Sequence, residues 1–484
     1  MQEKRLEFRG GLLVALIPFL LFIVFCIIFF VVLQYYEMIA LALGAIVSLI
    51  IGSLFSKKWS DYWDAVIAGM SQSLINTLAL IFLVVGIFAK MMAASGVADG
   101  FVWLGIQMGM HGSLFCAFAF LISALIASAT GTSFGTIFSC FPILYPSGIL
   151  LGASPVFLAG AILSGAMLGD NIAPISDTTI ASAGSQSFRD GKNADIGGVV
   201  FSRLKYVALA APVAFVLFLI FGGQGSISAD VSLDMLSQYS NPTGLAMLIP
   251  VAVLLFAAYK TGNIFIAVTW GLIIGCAIAL PLGLFTARDI IWFSDGLLTG
   301  FIIDGINGMV GTVIFLYGIS GIMGILTSSG ILDTLVGALQ KTKLVSTERG
   351  TELVIVLGGI ISGICMGGAA APAVLMFAPV AQRLGQKQDI HPYRRANLLS
   401  SSTFTISAII PATSSFIFVV ISAASGVIEE YPFIPELNPM TLMYSTFYAW
   451  TMLAAILFFI ITGIGRIYEG TTHEKLKKRP GSPT

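Results

Sequence analysis

Asp170, Asn171, Ser176, Asp177 and Thr178 stand close together in the stretch SGAMLGDNIAPISDTTIASAG, Ser164 to Gly184, inside an otherwise apolar segment. A carboxylate at bilayer depth costs at least about 2.5–3.5 kcal/mol on insertion scales, so two of them in one segment are functional candidates. With the hydroxyls, the asparagine and backbone carbonyls freed by a helix break, they offer hard oxygen ligands for a small cation, and sodium fits. The same carboxylates could take a proton instead. Competition of the two ions for one carboxylate is the simplest route to exchange. The plainer alternative is that Asp170 or Asp177 only caps the N-terminus of a half-helix, where its charge meets the dipole.

A second candidate is SATGTSFGT, Ser128 to Thr136, where Thr130, Thr132 and Ser133 surround Gly131 at a turn that could meet this break. Gly131 and Gly135 also match the small-residue spacing of simple helix packing. The segment Gly367 to Pro372 has no side-chain donor. Gly367 and Gly368 could contribute only backbone groups, whose amides suit the anionic part of a solute. Asp64, Asp99, Asp295 and Asp333 fall near segment ends as interfacial caps, Asp304 lies deeper, Lys90 reaches for an interface, and His391 and Arg394 fall in a loop. No phosphate-binding glycine loop, metal cluster or nucleophile with a base can be assembled, so enzyme activity is unsupported.

These residues need elements to hold them. The chain has 484 residues, is 57% hydrophobic and only 10% charged, with mean hydropathy +0.96. That composition marks an all-α polytopic membrane protein and excludes a soluble domain or a nucleic-acid binder. Apolar runs bounded by charges, Gly and Pro predict about ten transmembrane helices, at 11–33, 36–55, 65–92, 156–183, 203–222, 244–259, 263–285, 296–327, 395–424 and 440–465. The first is too long for a removed signal peptide. The stretches 113–148 and 353–384 are broken by ATGTS and MGGAAAP, and each half reads as too short to span. Both therefore read as re-entrant hairpins. With the N-terminus cytoplasmic, this layout puts all but Lys90 and Arg288 of the 24 Lys and Arg on the cytoplasmic side, as the positive-inside rule asks. The C-terminus is then cytoplasmic too. The five cysteines lie in apolar segments without ligand spacing and read as small core residues.

The chain also repeats itself. DAVIAG from Asp64 resembles DGLLTG from Asp295, IFLVVGIFAKMMAASGVAD resembles IFLYGISGIMGILTSSGILD, and ISDTT (Ile175 to Thr179) aligns with PATSS (Pro411 to Ser415). The predicted topology makes the two copies inverted repeats, the architecture of secondary transporters, with broken helices meeting near the midplane. Pro174 lacks a backbone donor and Gly169 is permissive, which puts the first break between Gly169 and Ser176. The organisation follows: N-terminal helices 1–56; a first repeat 57–222 with hairpin 113–148 and broken helix 156–183; a connection 223–286; a second repeat 287–466 with hairpin 353–384 and broken helix 395–424; and a basic tail 467–484.

The two polar motifs resemble the NhaC-type sodium/proton antiporter family, whose relatives include exchangers of organic acids. SATGTSFGT and AGAILSGAMLGDNIAPISDTT are close to that family's Ala-Thr-Gly-Thr-Ser-x-Gly-Thr and Ser-Gly-Ala-x-x-Gly-Asp-x-x-Ser-Pro-x-Ser-Asp-Thr-Thr patterns. The resemblance implies ion coupling at Thr130, Thr132, Ser133, Asp170, Ser176, Asp177 and Thr178. It also implies an acidic pair in the second repeat, where this chain has Ser401 and Ser402. A polar, uncharged second half with Ser401, Ser402, Thr403, Thr413 and Ser414 facing the break would suit an organic solute. The reading is therefore an ion-coupled secondary transporter of a bacterial-type inner membrane. Sodium/proton antiport comes first, and sodium- or proton-coupled transport of an amino acid or carboxylate second. It needs no cofactor beyond Na+ or H+, and its surroundings are the bilayer and a small ion or solute. Homodimers are common in comparable folds.

Overall fold

The computed structural model describes residues 5–33, 35, 38–174, 176–223, 240–261, 263–294, 296–331, 334, 337, 343–366, 370–411, 414–428, 430–470 and 475–476. Among them, seven helices, or eight if one bent pair counts as a single span, are long and apolar enough to cross a membrane. The chain is an all-α polytopic membrane protein. The count falls below ten because several apolar helices, among them 38–53 and 415–428, are shorter than a full crossing.

Helices α1 (Ile17–Ile27) and α2 (Met38–Ser53) run antiparallel, with Gly44 against Phe25 and Gly52 against Pro18. The single crossing expected at 65–92 is divided into α3 (Trp59–Met70) and α4 (Ser73–Ala94), because Ser71 and Gln72 leave the helical conformation. Small polar residues compete with the helix backbone for hydrogen bonds and make this a weak point. A further helix, α5 (Val97–Gln107), starts from left-handed Gly96 and is too short to show as an apolar run.

Helices α6 (Ser113–Thr130) and α7 (Ser133–Leu150) form the first hairpin, turning at Gly131, which has φ 68°. The Gly112 N–H donates to the Leu151 carbonyl at 2.8 Å, and Gly148 lies against Phe115, so the open ends meet. One expectation is corrected. Each arm has 18 residues, about 27 Å of helix, and is not too short to cross. Pro142 and Pro146 sit within α7 without ending it.

The first broken helix consists of α8 (Pro155–Ile172) and α9 (Asp177–Gly184). Gly169 is inside α8 and does not belong to the break, which is confined to 173–176. Its lack of a side chain serves packing: a Cβ there would lie 2.2 Å from the Ala124 carbonyl oxygen and 2.5 Å from the Ala127 Cβ on α6. Helix α10 (Ile196–Phe221) begins a turn and more before the expected 203, capped by Asp195, whose carboxylate accepts from the Gly198 N–H at 2.6 Å. The Tyr393 hydroxyl also donates to Asp195 and holds its carboxyl below the usual range.

After α11 (Leu248–Thr261), α12 (Ile264–Leu282) and the short α13 (Ala287–Ile290) comes a difference from the sequence reading. Strands β1 (Trp292–Ser294) and β2 (Leu297–Thr299) pair as a hairpin where the helix 296–327 was expected to start. Gly296, at φ 81°, makes the turn, and the helix begins only at α14 (Phe301–Ser329). Asp304 is then in its first turn and exposed, not deep. The sequence-matched helices meet across the molecule: Gly69 touches Gly324 and Gly86 touches Gly305, so α3 and α4 run antiparallel to α14.

The second hairpin, α15 (Glu348–Cys365) and α16 (Ala370–Lys387), closes in the same way. The Gln388 amide donates to the Val345 carbonyl at 3.0 Å, and Gly358 lies against the Phe377 ring. Its arms also have 18 residues each, and Gly367 and Gly368 lie outside the described residues. The second broken helix is α17 (Pro392–Ile409) and α18 (Ser415–Ile428), and the last span is α19 (Pro439–Ser445) and α20 (Phe447–Thr462), bent by 50°.

His391 and Arg394, expected in a loop, are fully buried at the start of α17. Arg394 pairs with Glu352, which also accepts from Arg466 at 2.8 Å. Arg395 donates to the carbonyls of Ile390 (2.5 Å) and Ser187 (2.7 Å). The tail adds a strand-like bridge from Tyr468 to Ile390. Buried charge is tolerable only when paired, and here pairing ties hairpin, broken helix and tail together.

Gly169→Val should force α8 away from α6 and lower stability by about 1–3 kcal/mol or more. A fall in the melting temperature of the detergent-solubilised protein checks this, and an unchanged melting temperature contradicts the packing role.

Candidate functional site

The first break and the first hairpin tip meet α4, α16, α17 and α18 at a cavity of about 120 Å³. The first hairpin contributes Gly131, Thr132, Ser133 and Phe134, and the first broken helix contributes Asp170, Ser176, Asp177 and Thr178. The second half supplies Ala370, Ala371, Phe404 and Phe416, and α4 supplies Thr77 and Ile81.

Asp170 lies in the last turn of α8, where the helix dipole disfavours a negative charge. It does not cap its own half-helix; the N-terminus it meets is that of α7. Its environment is supplied by another helix. Ser133 is the first residue of α7, and its backbone N–H, an orphan donor at a helix start, donates to Asp170 Oδ2 at 3.1 Å. The Ser133 hydroxyl donates to the same oxygen at 2.6 Å, a charge-assisted bond. Asp170 Oδ1 is buried and accepts no hydrogen bond from the described residues.

Asp177 occupies the first turn of α9, where the dipole does favour it, and it is exposed to the cavity side. Its charge meets the helix dipole, as the capping alternative expects, and its side chain also borders the cavity. Ser176 and Thr178 are buried and share a hydrogen bond of 2.9 Å between their hydroxyls. Thr132 lines the cavity while its hydroxyl caps α7, accepting from the Gly135 N–H. Thr130 does not line it. Its hydroxyl is engaged with the Ile126 carbonyl at 3.0 Å and with Thr136.

Asn171 also departs from the expectation. Its side chain donates to the Tyr448 hydroxyl at 3.0 Å and accepts from Arg203, so it is a strut beside the site and not part of the cavity lining. Arg203 is fully buried on α10. Sequence reading had counted it with the cytoplasmic charges, because α10 starts earlier than its apolar run.

The second half is corrected most. Ser401, Ser402, Thr403 and Ser414 are fully buried and none lines the cavity. Ser402 and Thr403 donate to the Leu399 carbonyl, and the Ser414 hydroxyl accepts from the Ile417 N–H. Thr413 lies outside the described residues. What the second half presents to the cavity, among the described residues, is apolar and largely aromatic. Phe134 stacks on Phe416 with ring centroids 4.8 Å apart, and Phe404 meets Phe416 edge-on at 5.3 Å. These phenylalanines were not singled out in the sequence. The one available signal was Phe134 within the motif SATGTSFGT.

With this geometry, comparison with known proteins is informative. A model of the Na+/H+ antiporter family matches residues 11–223, the segment that contains both polar motifs. A malate-2H(+)/Na(+)-lactate antiporter of Bacillus subtilis is 29% identical over 329 residues, 65% of this chain and 68% of that protein. The arginine/ornithine antiporter ArcD of Halobacterium salinarum is 23% identical, covering 81% of this chain and 84% of its own length. The Na(+)/H(+) antiporter NhaC of Alkalihalophilus pseudofirmus is 24% identical, covering 80% and 85%. The segment that carries the hairpin-tip and broken-helix motifs is thus similar to the Na+/H+ antiporter family, and the pairwise likeness to antiporters extends over most of the chain.

Proposed function

We propose that this protein is a sodium/proton antiporter that works by alternating access, with the cavity between hairpin tip and broken helix as its ion site. The observation that carries the reading is Asp170. One carboxylate oxygen is held twice by Ser133, while the other is buried with no partner among the described residues, at a cavity that also contains Asp177. A buried carboxylate oxygen in that position needs a cation or a proton. Sodium would find the two carboxylates and the hydroxyls of Thr132, Ser133, Ser176 and Thr178 as hard oxygen ligands. A proton would satisfy the same carboxylate in its absence. Because both guests use one group, release of one accompanies capture of the other.

The alternation is assigned to two inverted repeats, 57–222 and 287–466. Support comes from the antiparallel approach of α3 and α4 to α14, and from hairpins and broken helices that recur in the same order. The positive-inside rule supports cytoplasmic termini and a bacterial-type inner membrane. Exchange of an organic solute ranks second, although two relatives are named for malate with lactate and for arginine with ornithine. The second-half wall of the cavity is apolar, and about 120 Å³ is well below the roughly 300–1,000 Å³ of small-molecule sites.

In everted vesicles the protein should collapse a proton gradient on addition of sodium, and Asp170→Asn and Asp177→Asn should each abolish the response. An unaltered response in either variant removes that residue from the ion site. A thermal-shift screen separates the two readings: sodium alone should stabilise the protein, whereas stabilisation only by an amino acid or carboxylate would favour the solute carrier. Ser133→Ala removes a hydroxyl bond to a buried charge. It should lower stability by about 1–3 kcal/mol, read as a melting-temperature fall that saturating sodium partly restores.

A further inference from the structure

Three buried arginines serve the broken helices, and two of them have carboxylate partners: Arg394 with Glu352 and Arg395 with Glu469. Arg203 does not. Its Nη1 donates to the Asn171 carbonyl (2.6 Å), to Asn171 Oδ1 (3.1 Å) and to the Thr179 hydroxyl (2.8 Å). Its Nη2 donates to the Ser400 hydroxyl at 3.0 Å and its Nε to Asn397 Oδ1 at 2.9 Å. Every acceptor is neutral, and among the described residues Arg203 has no ion-pair partner within 4.0 Å.

A fully buried guanidinium with satisfied donors but no adjacent counter-charge is unusual, because burial without charge compensation is strongly unfavourable. Its partners indicate where the compensation lies. Asn171 directly follows Asp170, and Thr179 stands two residues after Asp177. Arg203 thus grips the polypeptide beside each acid, away from the cavity lining, and the same side chain binds Asn397 and Ser400 of the second broken helix. Among the described residues, the second half contributes no carboxylate to the cavity.

We infer that Arg203 is the fixed counter-charge of the ion site, a positioning residue that offsets one of the two carboxylate charges and links the site to the second broken helix. The inference rests on the sodium/proton reading. With two carboxylates and one arginine, the empty site carries a single net negative charge, which one sodium ion neutralises. Without the arginine charge, the site would hold sodium too tightly to release it efficiently.

The test measures sodium-dependent dissipation of a proton gradient in proteoliposomes at one fixed pH, comparing wild type with Arg203→Gln, Arg203→Lys and Ser400→Asp. Arg203→Gln should lower the half-saturating sodium concentration about tenfold, as expected for removing a like charge several ångströms away at an intermediate dielectric, and turnover should fall. Arg203→Lys keeps the charge and should leave half-saturation within about threefold of wild type, even though its single ammonium cannot reproduce the fork of hydrogen bonds. Ser400→Asp leaves Arg203 in place, neutralises it from the side of the second half, and should shift half-saturation in the same direction as Arg203→Gln. It decides the question if Arg203→Gln fails to fold. A purely structural strut would reduce turnover in all three variants without moving half-saturation, and unmoved half-saturation in Arg203→Gln or, failing its folding, in Ser400→Asp overturns the inference while a wild-type response leaves the antiport reading intact. A wild type with no sodium response overturns the antiport reading itself, and this inference with it.

Discussion

The contact between Ser133 and Asp170 is the constraint around which the transport domain is arranged. A carboxylate at the C-terminal end of α8 faces the wrong end of its own helix dipole, and nothing in α8 can correct that. The start of α7 does so, by presenting an unpaired backbone N–H and a hydroxyl to one oxygen. For this to happen, the chain must turn at Gly131, run α6 alongside α8, and end α8 at Ile172. Gly165 and Gly169 make the side-by-side approach possible, since a Cβ at either would collide with the backbone of α6. The small-residue rows in this segment and the acid it carries are thus parts of one arrangement.

The two halves share a plan and differ in chemistry. Each has a hairpin whose ends are hydrogen-bonded together and a helix interrupted near its middle. In the first half, the interruption leaves polar groups on the cavity. In the second, the hydroxyls of Ser402, Thr403 and Ser414 bond to backbone groups of their own helices, and phenylalanines close the space. The aromatic rings and the packed start of α7 keep Asp170 buried, where electrostatic interactions are stronger than in water, while Asp177 is exposed.

The far end of the second broken helix is held by charge. Arg394, Glu352 and Arg466 form a buried group that joins α17, α15 and the tail, while Arg395 reaches the backbone after α9. Breaking such a buried pair would leave an uncompensated charge, so these groups hold α15 and α17 together. Arg203 differs in joining the two broken helices through neutral acceptors.

Much of this was legible in the sequence by itself. The length and spacing of apolar runs marked a polytopic membrane protein, and Pro174 between two acids marked an interrupted helix, because membrane solvation and proline geometry act locally. The motifs around Gly131 and Asp170 identified the polar side of the site. The sequence could not tell which hydroxyls turn toward the cavity. Thr130 and Ser402 look like ligands in the sequence, but a hydroxyl on a helix can equally bond the carbonyl a turn back, and only neighbouring helices decide between the two. The same holds for the division of α3 from α4, the strands before α14 and the burial of Arg203 and Arg394. Each depends on what packs against it from distant parts of the chain, so the acids and hydroxyls that line the cavity were visible locally, while the surroundings that orient them came only with the tertiary structure.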